Sequence, residues 1–162
     1  MKEHDLQKTP PNVYRFIGQQ LPLLLGWAVG SVTFGLLQRQ YKNDQQRGLG
    51  DQFIGWGAID GIIAASGMAG MHKNARLLAA DKIEPIKHDK DARQFEQVVW
   101  VNTVLDIGYI LAGKSLVQRN PGNTYRRGMG WGILIQGGFL FLWDLLLALL
   151  IRRYRHDNLA SS

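Results

Sequence analysis

Long apolar runs separated by short charge-rich stretches constrain this chain more than any other feature. Four segments of roughly twenty apolar or small residues lie at about 16–37, 52–71, 95–117 and 129–151. That length crosses a hydrocarbon core of ~30 Å at ~1.5 Å per helical residue. The expected fold is all-α: a polytopic membrane protein with four transmembrane helices in a bundle. The mean hydropathy of -0.13 and the 20% of charged residues suit a soluble protein, but these averages hide the segregation of charge. The segments outside the spans are then an N-terminal tail (1–15), an inner loop (72–94) and a C-terminal tail (152–162).

Lys and Arg counts set the orientation, because cytoplasmic loops carry the excess. Twelve fall on the two tails and the central loop, against seven on the other two loops. Both termini are therefore expected on the cytoplasmic side of an inner (plasma) membrane. The formal charge of +6 is the flanking charge of a protein facing anionic lipid. No basic, aromatic-interleaved domain marks a nucleic-acid binder. The expected partners are the lipid bilayer and a second copy or another membrane protein.

Within the first span, Pro22 cannot donate to the carbonyl of Gly18 and should kink the helix. Gln19 and Gln20 are near enough to serve the freed backbone groups, and Asn12 is placed to cap the helix start. The apolar stretch continues past Ala28-Val29-Gly30, so an uncleaved signal-anchor helix is expected. In the central loop, Asn74 to Ala80 reads as a continuation of the second helix, Pro85 interrupts it, and the remainder reads as solvated.

A repeat is visible. Arg47-Gly48-Leu49-Gly50 recurs as Arg127-Gly128-Met129-Gly130, and the same offset of eighty places Gly57 on Gly137, Leu25 on Leu105 and Arg39 on Arg119. Each half then reads helix, outer loop, RGxG, helix. Such halves would be two parallel helix-hairpin repeats about an axis along the membrane normal, with a polar centre on that axis. Helices in lipid associate through small residues and interhelical hydrogen bonds. Gly57, Gly61, Ala65 and Ala69 form one such stripe on the second span, and Gly26 and Gly30 make a GxxxG on the first.

Three carboxylates fall well inside spans: Asp60, Asp106 and Asp144. An aspartate at a helix centre costs ~2.5–3.5 kcal/mol on insertion scales, so a buried role is expected of each. Asn102, Asp106 and Tyr109 share one face of the third span, and Gln136 lies on a face that Asp144 borders. Depth pairs Asp60 with Asp106 or Tyr109, and Asn102 with Asp144. No Lys, Arg or His lies deep enough to neutralise the acids, so at least one should keep its proton. These six residues form the candidate site for a proton, a cation or a small polar ligand. The other reading makes them hydrogen-bonded joints that only fix helix register, in a membrane assembly or scaffold protein.

Other chemistry finds little support. There are no cysteines, which removes thiolate metal sites and thiol nucleophiles. His4, His72, His88 and His156 lie outside the spans without metal-ligand spacing, and neither Ser31 nor Ser66 has a base. No metal, cofactor or catalytic residue is expected, and lipid chemistry with Asp60 or Asp106 as general base lacks a nucleophile.

At Asn102-Thr103-Val104-Leu105-Asp106-Ile107-Gly108-Tyr109 and at Gly130 to Phe139, the chain resembles an uncharacterised bacterial family of small four-helix membrane proteins, a domain of unknown function. The likeness covers roughly spans two to four. It implies that the polar face of the third span recurs in the family, and it brings no activity with it.

Overall fold

The computed structural model describes residues 12–158. Pro10, Pro11, Lys2, Lys8 and His4 lie outside them. The described chain is helical: α1 (Val13–Gly18), α2 (Leu21–Arg39), α3 (Asp44–Ala79), α4 (Pro85–Arg119) and α5 (Thr124–Asn158). The break between α1 and α2 is the expected proline effect, sharpened from a kink into two helices. Pro22 occupies the first turn of α2, where its missing N–H is harmless. The Gln20 side-chain amide donates to the Phe16 carbonyl (3.5 Å). Asn12 caps α1 by accepting from the N–H of Arg15 (3.0 Å).

The segment 72–94 is mostly helix rather than loop, and most of its residues are exposed. Helix α3 runs to Ala79 and α4 starts at Pro85. Between them the chain closes in a Schellman arrangement: Lys82 N–H donates to Leu77 O (2.9 Å) and Asp81 N–H to Leu78 O (3.1 Å). Asp81 adopts φ 53° to make this turn. The first turns of α4 dock on α1, and His88 and Ala92 are buried there.

Helices α2 and α3 pack as one antiparallel hairpin, α4 and α5 as a second, and α3 meets α5 between them. Trp27 of α2 also stacks on Phe139 of α5, and Trp56 of α3 meets Tyr109 of α4 edge-on. The result is a four-helix bundle with α3 and α5 in contact through the middle and α2 and α4 in the grooves beside them. Three of the helical segments are long and apolar enough to cross a membrane by length and composition: Val13–Arg39, Asp44–Ala79 and Thr124–Asp157. Helix α4 does not reach that mark, because Asn102, Asp106, Tyr109 and Lys114 interrupt its apolar run. Its outer surface is nonetheless apolar, with Val101, Val104 and Leu111 exposed, as are Ile62 on α3 and Leu142 on α5.

Glycine sets the close approaches. A Cβ at Gly48 would run into the carbonyl oxygen of Tyr125, and one at Gly128 into that of Gln45. These two contacts exchange under the offset of eighty. The hairpins pair in the same way. A Cβ at Gly35 would lie 2.6 Å from Gly50 O and 2.9 Å from Ile54 N, and one at Gly113 would lie 2.8 Å from both Gly130 O and Leu134 N. The offset is eighty for α3 against α5 but seventy-eight for α2 against α4, since Gly35 answers to Gly113. The sequence pairing of Leu25 with Leu105 and Arg39 with Arg119 is thus out by two residues, which the C-terminal end of α4 absorbs.

Only part of the small-residue stripe packs within the chain. A Cβ on Gly57 would lie 2.8 Å from Ala28 O and one on Gly61 3.6 Å from Ala28 Cβ, but Ala65 and Ala69 are exposed. Steps of four advance a helix by ~400°, so such a stripe drifts by ~40° per step. The buried line follows Gly50, Phe53, Gly57, Asp60 and Ala64 instead. Gly26 and Gly30 have no neighbour within 4 Å of an added Cβ, so that motif faces away from the rest of the chain.

Candidate functional site

Each acid is placed by the periodicity of its own helix. Asp60 continues the buried line of α3, and Asp106 shares the inner face of α4 with Val99, Thr103 and Gly113. Asp144 follows Trp143 on α5, at the edge of the line made by Gln136, Leu140 and Leu147. The structure therefore brings the three carboxyls together from three helices. Asp60 and Asp106 are each 3% exposed, and Asp144 is half-buried. The side chains of Asp106 and Asp144 lie in hydrogen-bonding range, and Asp60 is near enough to both for direct electrostatic interaction. Two bare carboxylates at that range repel.

The pairing differs from the sequence expectation. Asp144 meets Asp106 rather than Asn102, which is exposed on the outer surface of α4. The face that turns inward runs through Thr103, not Asn102; Thr103 donates its hydroxyl to Val99 O (2.9 Å). Tyr109 is 38% exposed and touches Trp56 rather than an acid.

Gln136 is fully buried (0% exposed), and its partners lie on α2. Its Oε1 accepts from Trp27 Nε1 (2.8 Å), and its Nε2 donates to Ser31 Oγ (3.1 Å). This joint is complete and needs no ligand. Sequence reasoning missed Trp27 and Ser31 because neither residue type is unusual in a span. Only the amide they serve marks them.

The acid cluster is not complete. Asp60 Oδ2 and Asp106 Oδ2 are buried without a hydrogen-bond partner. Among the described residues no Lys, Arg or His forms an ion pair with any of the three acids. Nor do the described residues assemble three or more His, Cys, Asp or Glu in a geometry to hold a metal ion. A buried acceptor left open costs about 1–3 kcal/mol, more when charged, so the arrangement asks for a donor: a proton, a water, or a ligand N–H or O–H.

The model of a family of unknown function, DUF6992, matches residues 23–145. The chain belongs to the DUF6992 family. The match spans α2, α3, α4 and most of α5, and so begins earlier than the likeness carried by the motifs of spans two to four. All three acids lie inside the DUF6992 region, while α1 lies outside it. Neither the curated proteins nor the solved structures contain a match.

Proposed function

We propose that this DUF6992 chain crosses a bacterial inner membrane four times, with both termini cytoplasmic, and that Asp60, Asp106 and Asp144 form an exchangeable proton site of a binding or transport module. The two open carboxylate oxygens beside a third acid carry this reading. In a helix bundle shielded from water, acids without a basic partner hold protons, and intramembrane acids of this kind mark proton and cation pathways. A cation or a small polar ligand with a donor group would compete for the same oxygens, so occupancy and protonation are coupled. Asn102 and Tyr109 stand outside this set, and Gln136 belongs to the neighbouring structural joint. The exchanged contacts at Gly48 and Gly128 support two parallel hairpin repeats as the origin of the bundle.

Infrared difference spectroscopy on the purified chain in lipid tests the site. A protonated-carboxyl band should titrate with pH, shift on addition of sodium or a small organic amine, and vanish in Asp106→Asn. A spectrum without that band, or one that Asp106→Asn and Asp144→Asn leave unchanged, removes the proposal.

The second reading, a scaffold whose buried polar groups only fix packing, draws on the satisfied Gln136 joint. It expects Asp60→Asn with Asp106→Asn to be tolerated in cells and a membrane partner to copurify.

A further inference from the structure

Helices α1 and α3 are fastened together at the inner end of the bundle. Asn12 Nδ2 donates to Ala75 O (3.2 Å), and a Cβ on Gly18 would stand 3.2 Å from Met71 Cβ. Between them they frame an open pocket of about 630 Å³. Pro22, Met68 and Met71 give it an apolar floor, and Arg15, His72 and Arg76 a basic rim. A second pocket of about 520 Å³ continues from His72 and Arg76 past Lys73 and Lys82.

The charge on this side is unbalanced. Among the described residues, neither Arg15 nor Arg76 has an ion-pair partner. On the neighbouring face of α4, Lys87 is matched by Asp91 and Arg93 by Asp89, and Arg155 of α5 is matched by Glu96. His72 Nδ1 donates to Met68 O (3.1 Å), which leaves its Nε2 as the nitrogen for a further partner.

We propose that this pocket binds the headgroup of an anionic phospholipid, with Arg15 and Arg76 on the phosphate and the apolar floor against the glycerol and first acyl carbons. The proposal rests on the membrane-spanning reading, which sets Met68 and Met71 at the inner end of the second span and the arginines at headgroup depth. Guanidinium groups match phosphate oxygens in paired hydrogen bonds. A basic pocket between helices on the cytoplasmic side faces the leaflet that carries anionic lipid.

Native mass spectrometry of the full chain from mild detergent tests this, with phosphatidylglycerol and phosphatidylcholine of identical acyl chains supplied at equal concentration. Phosphatidylglycerol adducts should dominate, and each arginine replaced in Arg15→Gln and Arg76→Gln should lower their excess about fivefold. Arg152→Gln with Arg153→Gln, outside the pocket, should retain it. Equal adducts from the two lipids, or a preference that survives the Arg15→Gln/Arg76→Gln double variant, overturns the proposal. Displacement of the lipid by inorganic phosphate reassigns the pocket to a free anion and overturns it as well. A carbonate wash of membranes separates the two levels: a chain that stays in the pellet but shows no lipid preference fails here alone, and a chain that washes off fails the membrane reading.

Discussion

Val13 begins α1 with a backbone N–H that no carbonyl of its own helix can accept. His88 Nε2, seventy-five residues on, accepts it at 3.1 Å, with Tyr14 edge-on to the same ring. An accepting Nε2 requires a neutral imidazole. Burial holds His88 below its usual value of about 6.5, although the Asp89 and Asp91 carboxylates oppose that shift. Between the docked value and ~6.5 the undocked ring takes a proton that the docked ring refuses. The His88 contribution is therefore full above pH ~6.5 and is lost as pH falls below it. Asp91 acts in a lower window. Its carboxylate is held down by the hydrogen bond from Tyr14 and then by Lys87, so its contribution is full above pH ~3.9 and fades only beneath it. Amide hydrogen exchange across α1, corrected for intrinsic rate, should accelerate between pH 7.5 and 5.5. His88→Phe should lose about 1–3 kcal/mol of α1 docking by orphaning the Val13 N–H, and with it this pH response. An α1 equally protected at both pH values contradicts the assignment. None of this was legible in the sequence, where His88 reads as one more polar residue between spans. A contact over that separation leaves no local pattern.

Elements were far more legible than their contacts. Pro22, Asn12 and Pro85 act locally, and each marks a helix boundary where the chain has one. Faces were read less well, because a packing stripe must be followed at 3.6 residues per turn and not at four. The structure separates glycines that a motif search treats alike. Gly128→Ala drives a methyl into the Gln45 carbonyl at the α3–α5 crossing and should cost about 1–3 kcal/mol through overpacking. Gly26→Ala and Gly30→Ala meet nothing within 4 Å, and should be neutral or gain about 0.5–1 kcal/mol from helix propensity. Thermal unfolding in detergent ranks the three. If Gly26→Ala destabilises as much as Gly128→Ala, the first motif is buried against another chain. At the turn between α3 and α4, Asp81 holds a left-handed conformation that glycine adopts freely, so Asp81→Gly should raise the melting temperature.

The all-α bundle was readable because long apolar runs are a property of the whole chain, and three of its helical segments are long and apolar enough to cross a membrane. The acid cluster was half readable. Periodicity put Asp60 and Asp106 on inner faces, but depth alone paired Asp144 with Asn102, and the rotation of α4 turns Asn102 outward. Orientation can be tested cleanly because the chain has no cysteine. Asp81→Cys and Asp157→Cys should react with an impermeant thiol reagent from the cytoplasmic side, and Gly122→Cys from the opposite side. Labelling of all three from one side excludes four crossings. The register of the two hairpins carries one more consequence. Opposite Asp60, Asp106 and Asp144 it sets Leu140, Ala28 and Ala64, all at least 90% shielded from solvent. The carboxyls on one flank thus answer to plain hydrocarbon on the other. The skeleton is nearly a twin of itself, while its buried acids gather on one side of the pseudo-axis.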